Sequence, residues 1–367
     1  MVEIMKVIDR YLVKQFLNHL FFSLLVFWVI FLVVDIVEHV DLFIDHQAGL
    51  FLVIKYYLFY SPYILSLVLP VGMLLSSLFS LGTLAKNNEL LAFKSAGISL
   101  YRILLPLLVL SFIISLISLS FNELVVPFAN IQKEEIRSNQ IEKKKKEKGL
   151  FFHNVFVQGE NNRIFYLGLF DGQKNVGTQA LVQRFEENKL IEQIEAQKMS
   201  WTGNGWLFEN GRYRVFSDSA KEGEEEKFSS FEKLFRLDLK VKPFAFTKKQ
   251  KKPEEMSFFE LKNYVEIKKR TGQKTAKELT DLYMKLSFPL INFIIVLFGS
   301  PLASNPKRSG KAIGFALSLF ISFVYYILIR MGQSFGYSEK LSPILAAWSA
   351  NIIFAILGVL LLFKAKK

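Results

Sequence analysis

The sequence predicts an α+β membrane protein in which six transmembrane helices, arranged 3+3, bracket an inserted β domain. Mean hydropathy is positive, at +0.28, over 367 residues of which 51% are apolar, a balance soluble domains of this length rarely show. Six uncharged stretches are long enough to cross a bilayer, and a charge-dense segment separates the third from the fourth. Lys and Arg number 46 against 33 Asp and Glu, and in the short connections they gather at alternate ends of the stretches.

The stretches are residues 15–34, 56–85, 103–122, 286–306, 312–329 and 341–363. About twenty helical residues, at roughly 1.5 Å each, span a hydrocarbon core of about 30 Å. The first is expected to remain as a helix: its apolar run exceeds that of a signal peptide, and no small-x-small cleavage site follows Val34. Lys6, Arg10 and Lys14 precede it; Lys86, Lys94 and Arg102 join spans 2 and 3; Lys307, Arg308 and Lys311 join spans 4 and 5; Lys364, Lys366 and Lys367 follow span 6. The opposite short connections carry Lys55, Arg330 and Lys340. The positive-inside rule therefore places both termini in the cytoplasm and the insert outside the inner membrane, in the periplasm of a cell with two membranes.

The expected divisions are 1–125 for the first three helices, with a cytoplasmic helix at about 86–97, then 126–280 for the insert and 281–367 for the last three helices. Residues 128–148 read as a helical extension of span 3 that frays near KKKKEK. From about 149 to 245, the stretches LFFHNVFVQ, RIFYLGLF, ALVQRF, KLIEQIEAQKMSW, GWLFENGRYRVF and KLFRLDLKV alternate in hydropathy. Turn signals accompany them at Glu160-Asn161-Asn162, Asp171-Gly172, Gly203-Asn204-Gly205 and Asn210-Gly211. Evenly spaced short strands indicate a β-sandwich, jelly roll or curved sheet, with SAKEGEEEKFSS as a solvated loop. Ser257 and Glu260 form a capping box for a helix through about Arg270, and a second helix from about Thr275 runs into span 4.

Catalytic chemistry is scarce. There is no cysteine, which excludes thiolate nucleophiles, Cys-ligated zinc and iron–sulfur clusters, and the four His fall in no metal-ligating spacing. Gly310-Lys311 lacks the earlier Gly and the following Ser or Thr of a Walker A loop, and no G-x-S-x-G elbow occurs. Any ATP-driven work must rest on a separate ATPase chain, which directs attention to the cytoplasmic loops. In LAKNNELLAFKSAGISLYRILLP, Asn87 or Asn88 can cap a short helix, Glu89 suits its first turn and Gly97 suits the C′ position. Glu89, Leu90, Leu91 and Lys94 then form an amphipathic cytoplasmic helix of the kind by which a permease engages an ATPase, although an ordinary tight interspan connection explains the spacing as well.

The chain resembles the LptF/LptG lipopolysaccharide-export permeases throughout: DRYLVKQF, LPVGMLLSSLFSLGTLAKNNELLAFKSAGIS, the β insert, KLSFPLINFIIVLFGSP with NPKRSGKAIGF, and LSPILAAWSANIIFAILG. LAKNNELLAFKSAGIS is the more LptG-like part. The resemblance implies an ABC-transporter permease, not an enzyme, that extracts lipopolysaccharide from the inner membrane and passes it through a periplasmic β-jelly-roll to LptC/LptA-like bridge proteins. It implies as partners an LptB-like ATPase dimer and an LptF-like paralogue or a second copy, with no nucleic acid. The acidic residue of the family's coupling helix matches Glu89, and spans 1 and 5 correspond to the lateral gates.

One departure stands out. Where LptG relatives often carry lysines at the outer end of helix 1, this chain has Asp35, Glu38, Asp41 and Asp45, with His39 and His46. Their spacing puts the acids on one helical face, either a solvated helix end or a place where Mg2+ or Ca2+ bridges carboxylates to lipid phosphates. Lys55 and Arg330 remain as candidate phosphate contacts, though interfacial anchoring explains Arg330 equally. His19 reads as an interhelical hydrogen bonder, and Pro62, Pro70, Pro289 and Pro301 as sites of helix bending. Two other classes fit less well: an ABC-type mechanotransmission protein, usually of four spans, and a non-transporting membrane-anchored β scaffold.

Overall fold

The computed structural model describes residues 2–142, 151–186, 189–216, 227–247, 251–270, 273–303 and 311–365. Its helices are α1 (Val2–Glu38), α2 (Val40–Asp45), α3 (Leu50–Lys86), α4 (Glu89–Ser95), α5 (Leu100–Glu135), α6 (Phe258–Arg270), α7 (Ala276–Ala303), α8 (Lys311–Tyr337) and α9 (Pro343–Lys364). α1, α3, α5, α7, α8 and α9 are long and apolar enough to cross a membrane, and a six-stranded antiparallel sheet lies between α5 and α6. The chain forms two compact units: residues 1–143, 253–262 and 276–367 make the helical one, and 144–252 with 263–275 make the β one.

In the helical unit, α3 and α7 form the centre. Their apolar stretches are 72% and 61% buried, against 17% for α1, which turns most of its surface outward. Leu12 and Phe16 of α1, Met73, Leu74 and Leu81 of α3, Leu104 and Leu107 of α5, and Ile295 and Val296 of α7 are fully or almost fully buried in one cluster. Lipid tails are as apolar as leucine, so helix association in a bilayer depends on close packing and interhelical hydrogen bonds. Both are present. Ser77 Oγ and Ser300 Oγ lie 3.1 Å apart across α3 and α7; Tyr325 of α8 donates to Asn351 of α9, whose amide donates to the Ser287 carbonyl of α7 at 2.8 Å. A Cβ on Gly332 of α8 would stand 2.4 Å from the Ala346 carbonyl oxygen of α9, and one on Gly336 would stand 2.6 Å from Thr280 Oγ1 of α7. This Gly-x-x-x-Gly spacing lets α8 approach the α9 backbone and seat the Thr280 side chain of α7. Pro62, Pro70, Pro289 and Pro301 all lie inside helices that continue through them.

α5 runs on into a π-helical turn, Ile136–Ile141, whose Ile136 and Ile141 pack with Phe43, Tyr56 and Tyr57. The KKKKEK run lies outside the described residues. The capping box is present: Ser257 N–H donates to Glu260 at 2.9 Å and Glu260 N–H to Ser257 Oγ at 3.2 Å. Glu123 of α5 adds a second cap, accepting the Phe258 N–H at 2.7 and 2.8 Å.

The sheet strands are β1 (Phe151–Gln158), β2 (Arg163–Asp171), β3 (Val176–Glu186), β4 (Lys189–Trp201), β5 (Trp206–Val215) and β6 (Lys227–Arg236), paired in sequence order as a meander. Of the anticipated turns, Asn161 and Asn162 both take positive φ in a hairpin closed by Arg163 N–H to Glu160, and Gly203 takes φ +97° in another. Asn210-Gly211 is no turn. It lies inside β5, in a row of positions, Asn154–Gly168–Gln179–Gln197–Asn210–Glu232, where pairing is skipped across every strand. Asn154, Gln179 and Asn210 there take φ of 52°. The row is a crease: side-chain alternation reverses across it, so Leu167, Ala180 and Ala196 on one side and Phe170, Met199 and Phe208 on the other enter the same core.

The crease lets the sheet roll. Glu192 pairs with Val215 and Arg236 with Trp206, at opposite ends of the ten-residue β5, which would measure roughly 30 Å if straight. Arg236 nonetheless reaches Glu192 at 2.7 Å and stands over the Tyr213 ring. Asp238 accepts from Arg236 at 2.7 and 2.8 Å and from Arg163 at 2.6 Å, closing a clasp of two arginines and two carboxylates. The hydropathy pattern predicts the sixth strand over 233–241, with the preceding residues in a loop. Instead, Lys227–Arg236 form β6, and the chain beyond leaves the sheet to fill the trough with Leu239, Val241 and Phe246, anchored by Trp206 Nε1 donating to the Val241 carbonyl at 2.8 Å. The displacement follows from burial: a strand continuing past Arg236 could not cover the core that the roll creates.

Asp238 is held at about 2 by its hydrogen bond to Arg236, with further charge from Arg163. A depressed carboxylate contributes stability fully present above its ordinary value of about 4 and lost as pH falls through the folded one. In a full-length variant keeping Trp206 as its sole tryptophan, the denaturation midpoint is expected to gain an acid step between about pH 4 and 2, which Asp238→Asn removes. An unchanged step in Asp238→Asn would place it on another group.

Candidate functional site

The loop between α3 and α5 is built around α4. Its end is a Schellman motif: Gly97 takes φ +83° and donates to the Lys94 carbonyl at 3.0 Å, while Ile98 donates to Phe93 at 3.0 Å. Its start differs from expectation. Asn88 occupies the N-cap position in left-handed backbone, φ 59°, and its side chain makes no capping bond; Asn87 donates instead to the Glu89 carboxylate at 3.1 Å. Beside the loop, Arg102 of α5 makes a two-bonded pair with Asp9 of α1, at 2.8 and 2.7 Å.

The four residues singled out on this helix divide. Leu90 is 4% exposed and belongs to the helical core, so it anchors α4, whereas Leu91 is 64% exposed. Glu89 and Lys94 are half-buried at its margins, with Ala92 and Ser95 completing the exposed face. A short capped helix held by one leucine and presenting another is chemically suited to a partner's groove.

At the far end of α1, the four acids do not share a face, because α1 stops at Glu38 and the chain turns at His39 before α2. Asp35, Glu38 and His39 place their ligand-type atoms within 4.8 Å of one another; Asp41 and Asp45 are exposed and outside this group. Asp35 is buried and accepts from the Tyr57 hydroxyl of α3 at 2.9 Å. Mg2+ and Ca2+ take oxygen ligands, so a set with a nitrogen donor and one carboxylate already bonded fits them poorly. Tyr57 was not legible as a site residue, since nothing within 20 residues of it in the chain signals the contact.

Lys55 is half-buried in the second turn of α3, and Arg330 is exposed on α8; among the described residues neither forms a salt bridge. Arg330 borders a groove of about 480 Å³ that runs along one face of α8 and is lined by Phe323, Tyr326, Ile327, Met331 and Ser334. Behind it, Arg330 Nη1 donates to Gln333 Oε1 at 2.8 Å, and Gln333 Nε2 donates to Asp281 at 3.3 Å and to the Tyr337 hydroxyl at 2.7 Å. Gln333, Tyr337 and Asp281 escaped the sequence reading because the bond to α7 spans more than fifty residues. His19 makes the interhelical bond expected of it, to Ser80 of α3 at 3.2 Å. Of the loop between α7 and α8, Lys307 and Arg308 lie outside the described residues.

Six apolar helices, an inserted sheet and a capped interhelical loop define a multi-pass membrane protein of mixed α and β structure. The family described as lipopolysaccharide export system permease LptF/LptG matches residues 10–364, and the chain belongs to it. The lipopolysaccharide export system permease protein LptG of Escherichia coli K12, and that of Escherichia coli O6:H1, are each 20% identical over 305 residues, covering 80% of this chain and 81% of theirs.

Burial separates the two leucines of α4 by experiment. Leu90→Ala is expected to cost about 2–5 kcal/mol in thermal unfolding of the detergent-solubilised chain, and Leu91→Ala no more than about 0.5 kcal/mol. Equal losses would contradict the orientation of α4.

Proposed function

We propose that this chain is the permease subunit of an ATP-driven exporter that draws lipopolysaccharide from the inner membrane, acting as a transporter subunit and not as an enzyme. The observation that carries the reading is the family match over residues 10–364 of a chain with six apolar helices and an inserted β unit. In this reading the spans cross the inner membrane three and three, with both termini cytoplasmic and the β unit periplasmic, as the Lys and Arg distribution favours. The rolled sheet serves as a jelly-roll-like station that hands lipid to an LptC/LptA-like bridge. ATP is hydrolysed by an LptB-like dimer, and the second permease is an LptF-like paralogue or another copy. The two LptG relatives favour the LptG side of the family.

α4 is then the coupling helix, with Glu89 and Leu91 toward the ATPase, and Arg330 and Lys55 are the contacts for lipid phosphate. A first-turn carboxylate on a solvated helix is worth at most about 1 kcal/mol, whereas one paired in a partly desolvated groove costs about 2–5 kcal/mol to remove. Glu89→Lys is accordingly expected to leave the protein folded and inserted while abolishing stoichiometric co-purification of the ATPase, with Glu89→Ala weaker in the same direction. Parental ATPase recovery and lipid extraction in Glu89→Lys would remove Glu89 from the coupling surface.

A further inference from the structure

Arg330 sits at a place where its direction matters. Phe323, Ile327 and Met331, and beside them Tyr326, Arg330 and Ser334, recur at four-residue steps, so a single face of α8 carries an apolar groove that the Arg330 stem helps to line. An apolar trough with a guanidinium at its margin is complementary to an acyl chain beside a phosphate, and its open apolar surface favours a membrane lipid over free phosphate.

A guanidinium on a flexible stem samples many directions unless something holds it. Here an amide does, and its orientation is fixed by chemistry. Gln333 has two N–H groups and one carbonyl oxygen. Its amide nitrogen faces the Asp281 carboxylate of α7 at 3.3 Å and the Tyr337 oxygen at 2.7 Å, which share one N–H between them because the Tyr337 hydroxyl itself donates to Asp281. Flipping the amide would set its oxygen against a carboxylate, which has no proton to give. The carbonyl must therefore face Arg330, which it meets at 2.8 Å. Lys277 stands over the Tyr337 ring at 5.6 Å and supplies positive charge on the far side of the triangle.

We infer that Gln333 is a positioning residue: fixed by Asp281 and Tyr337, it holds the Arg330 guanidinium at the margin of the α8 groove to select a lipid that bears phosphate. The inference rests on the reading of Arg330 as a phosphate contact and adds the amide–carboxylate–phenol triangle that orients it. One guanidinium N–H is spent on Gln333, and the remaining donors stay available to phosphate oxygens. Because the lock is assembled before lipid arrives, binding does not bear the cost of ordering the arginine.

The test uses the purified full-length chain in dodecyl maltoside, titrated with fluorescent diphosphoryl lipid A and with the same lipid after removal of its phosphates. The parent is expected to prefer the phosphorylated probe, and Arg330→Gln to lose that preference. Gln333→Leu is expected to weaken the phosphorylated probe about 3- to 10-fold while leaving the dephosphorylated one unchanged, and to add nothing in the Arg330→Gln background. Tyr337→Phe, which removes one oxygen, is expected to reduce the preference less and decides the matter should Gln333→Leu fold poorly. If Arg330→Gln loses the preference but Gln333→Leu and Tyr337→Phe retain it, or weaken both probes equally, the positioning role is overturned while the contact stands. A parent without preference, or an Arg330→Gln variant that keeps it, overturns the contact and the positioning with it.

Discussion

Everything in the helical unit follows from the absence of water in hydrocarbon, where each backbone N–H and C=O must find its partner within the protein. That requirement makes the long apolar stretches helical and carries the helices through their prolines. It also decides where polar side chains can sit: Ser77 meets Ser300, and Tyr325 meets Asn351, whose amide meets Ser287, because an unpaired polar group there is costly. With the interior committed to packing, specific chemistry is left to the helix ends and to the outward faces. α4, the turn at His39 and the Arg330 edge of α8 all lie in such places.

The β unit solves a different problem, that of covering one face of a single meander sheet. The crease from Asn154 to Glu232 reverses the inward side of each strand, the roll brings the end of β6 back to the start of β4, and the charged clasp closes it. Taking arginines and carboxylates out of water is expensive unless each is well bonded. Here Arg236 bonds both carboxylates, Arg163 bonds Asp238 and stands 3.7 Å from Glu192, and Tyr213 adds a further donor to Glu192. The segment after β6 then fills the trough with Leu239, Val241 and Phe246.

Local chemistry was legible in the sequence. The spans follow from length and hydropathy, Gly97 announces the end of α4, and Ser257 with Glu260 announces the start of α6. What escaped depends on residues distant in the chain. Asn210-Gly211 carries the same left-handed preference whether it ends a strand or bends one; the outcome is set by Asn154 and Gln179 standing in the same row. The acids from Asp35 to Asp45 share a face only if the helix continues, and it stops at Glu38. Leu90 and Leu91 are alike as residues, and the bundle beneath decides which one turns inward. The role of Gly332 and Gly336 likewise depends on Ala346 and Thr280, distant in the chain, packing against them.

The central claim is that this chain moves lipid using energy from a separate subunit. The most direct measurement reconstitutes the chain, its permease partner and its ATPase in lipopolysaccharide-containing proteoliposomes and follows lipid transferred to a soluble acceptor. Transfer that requires both ATP and the ATPase is the expected result. Transfer no greater than in liposomes lacking ATP, from vesicles where all subunits are present and ATP is hydrolysed, would contradict it.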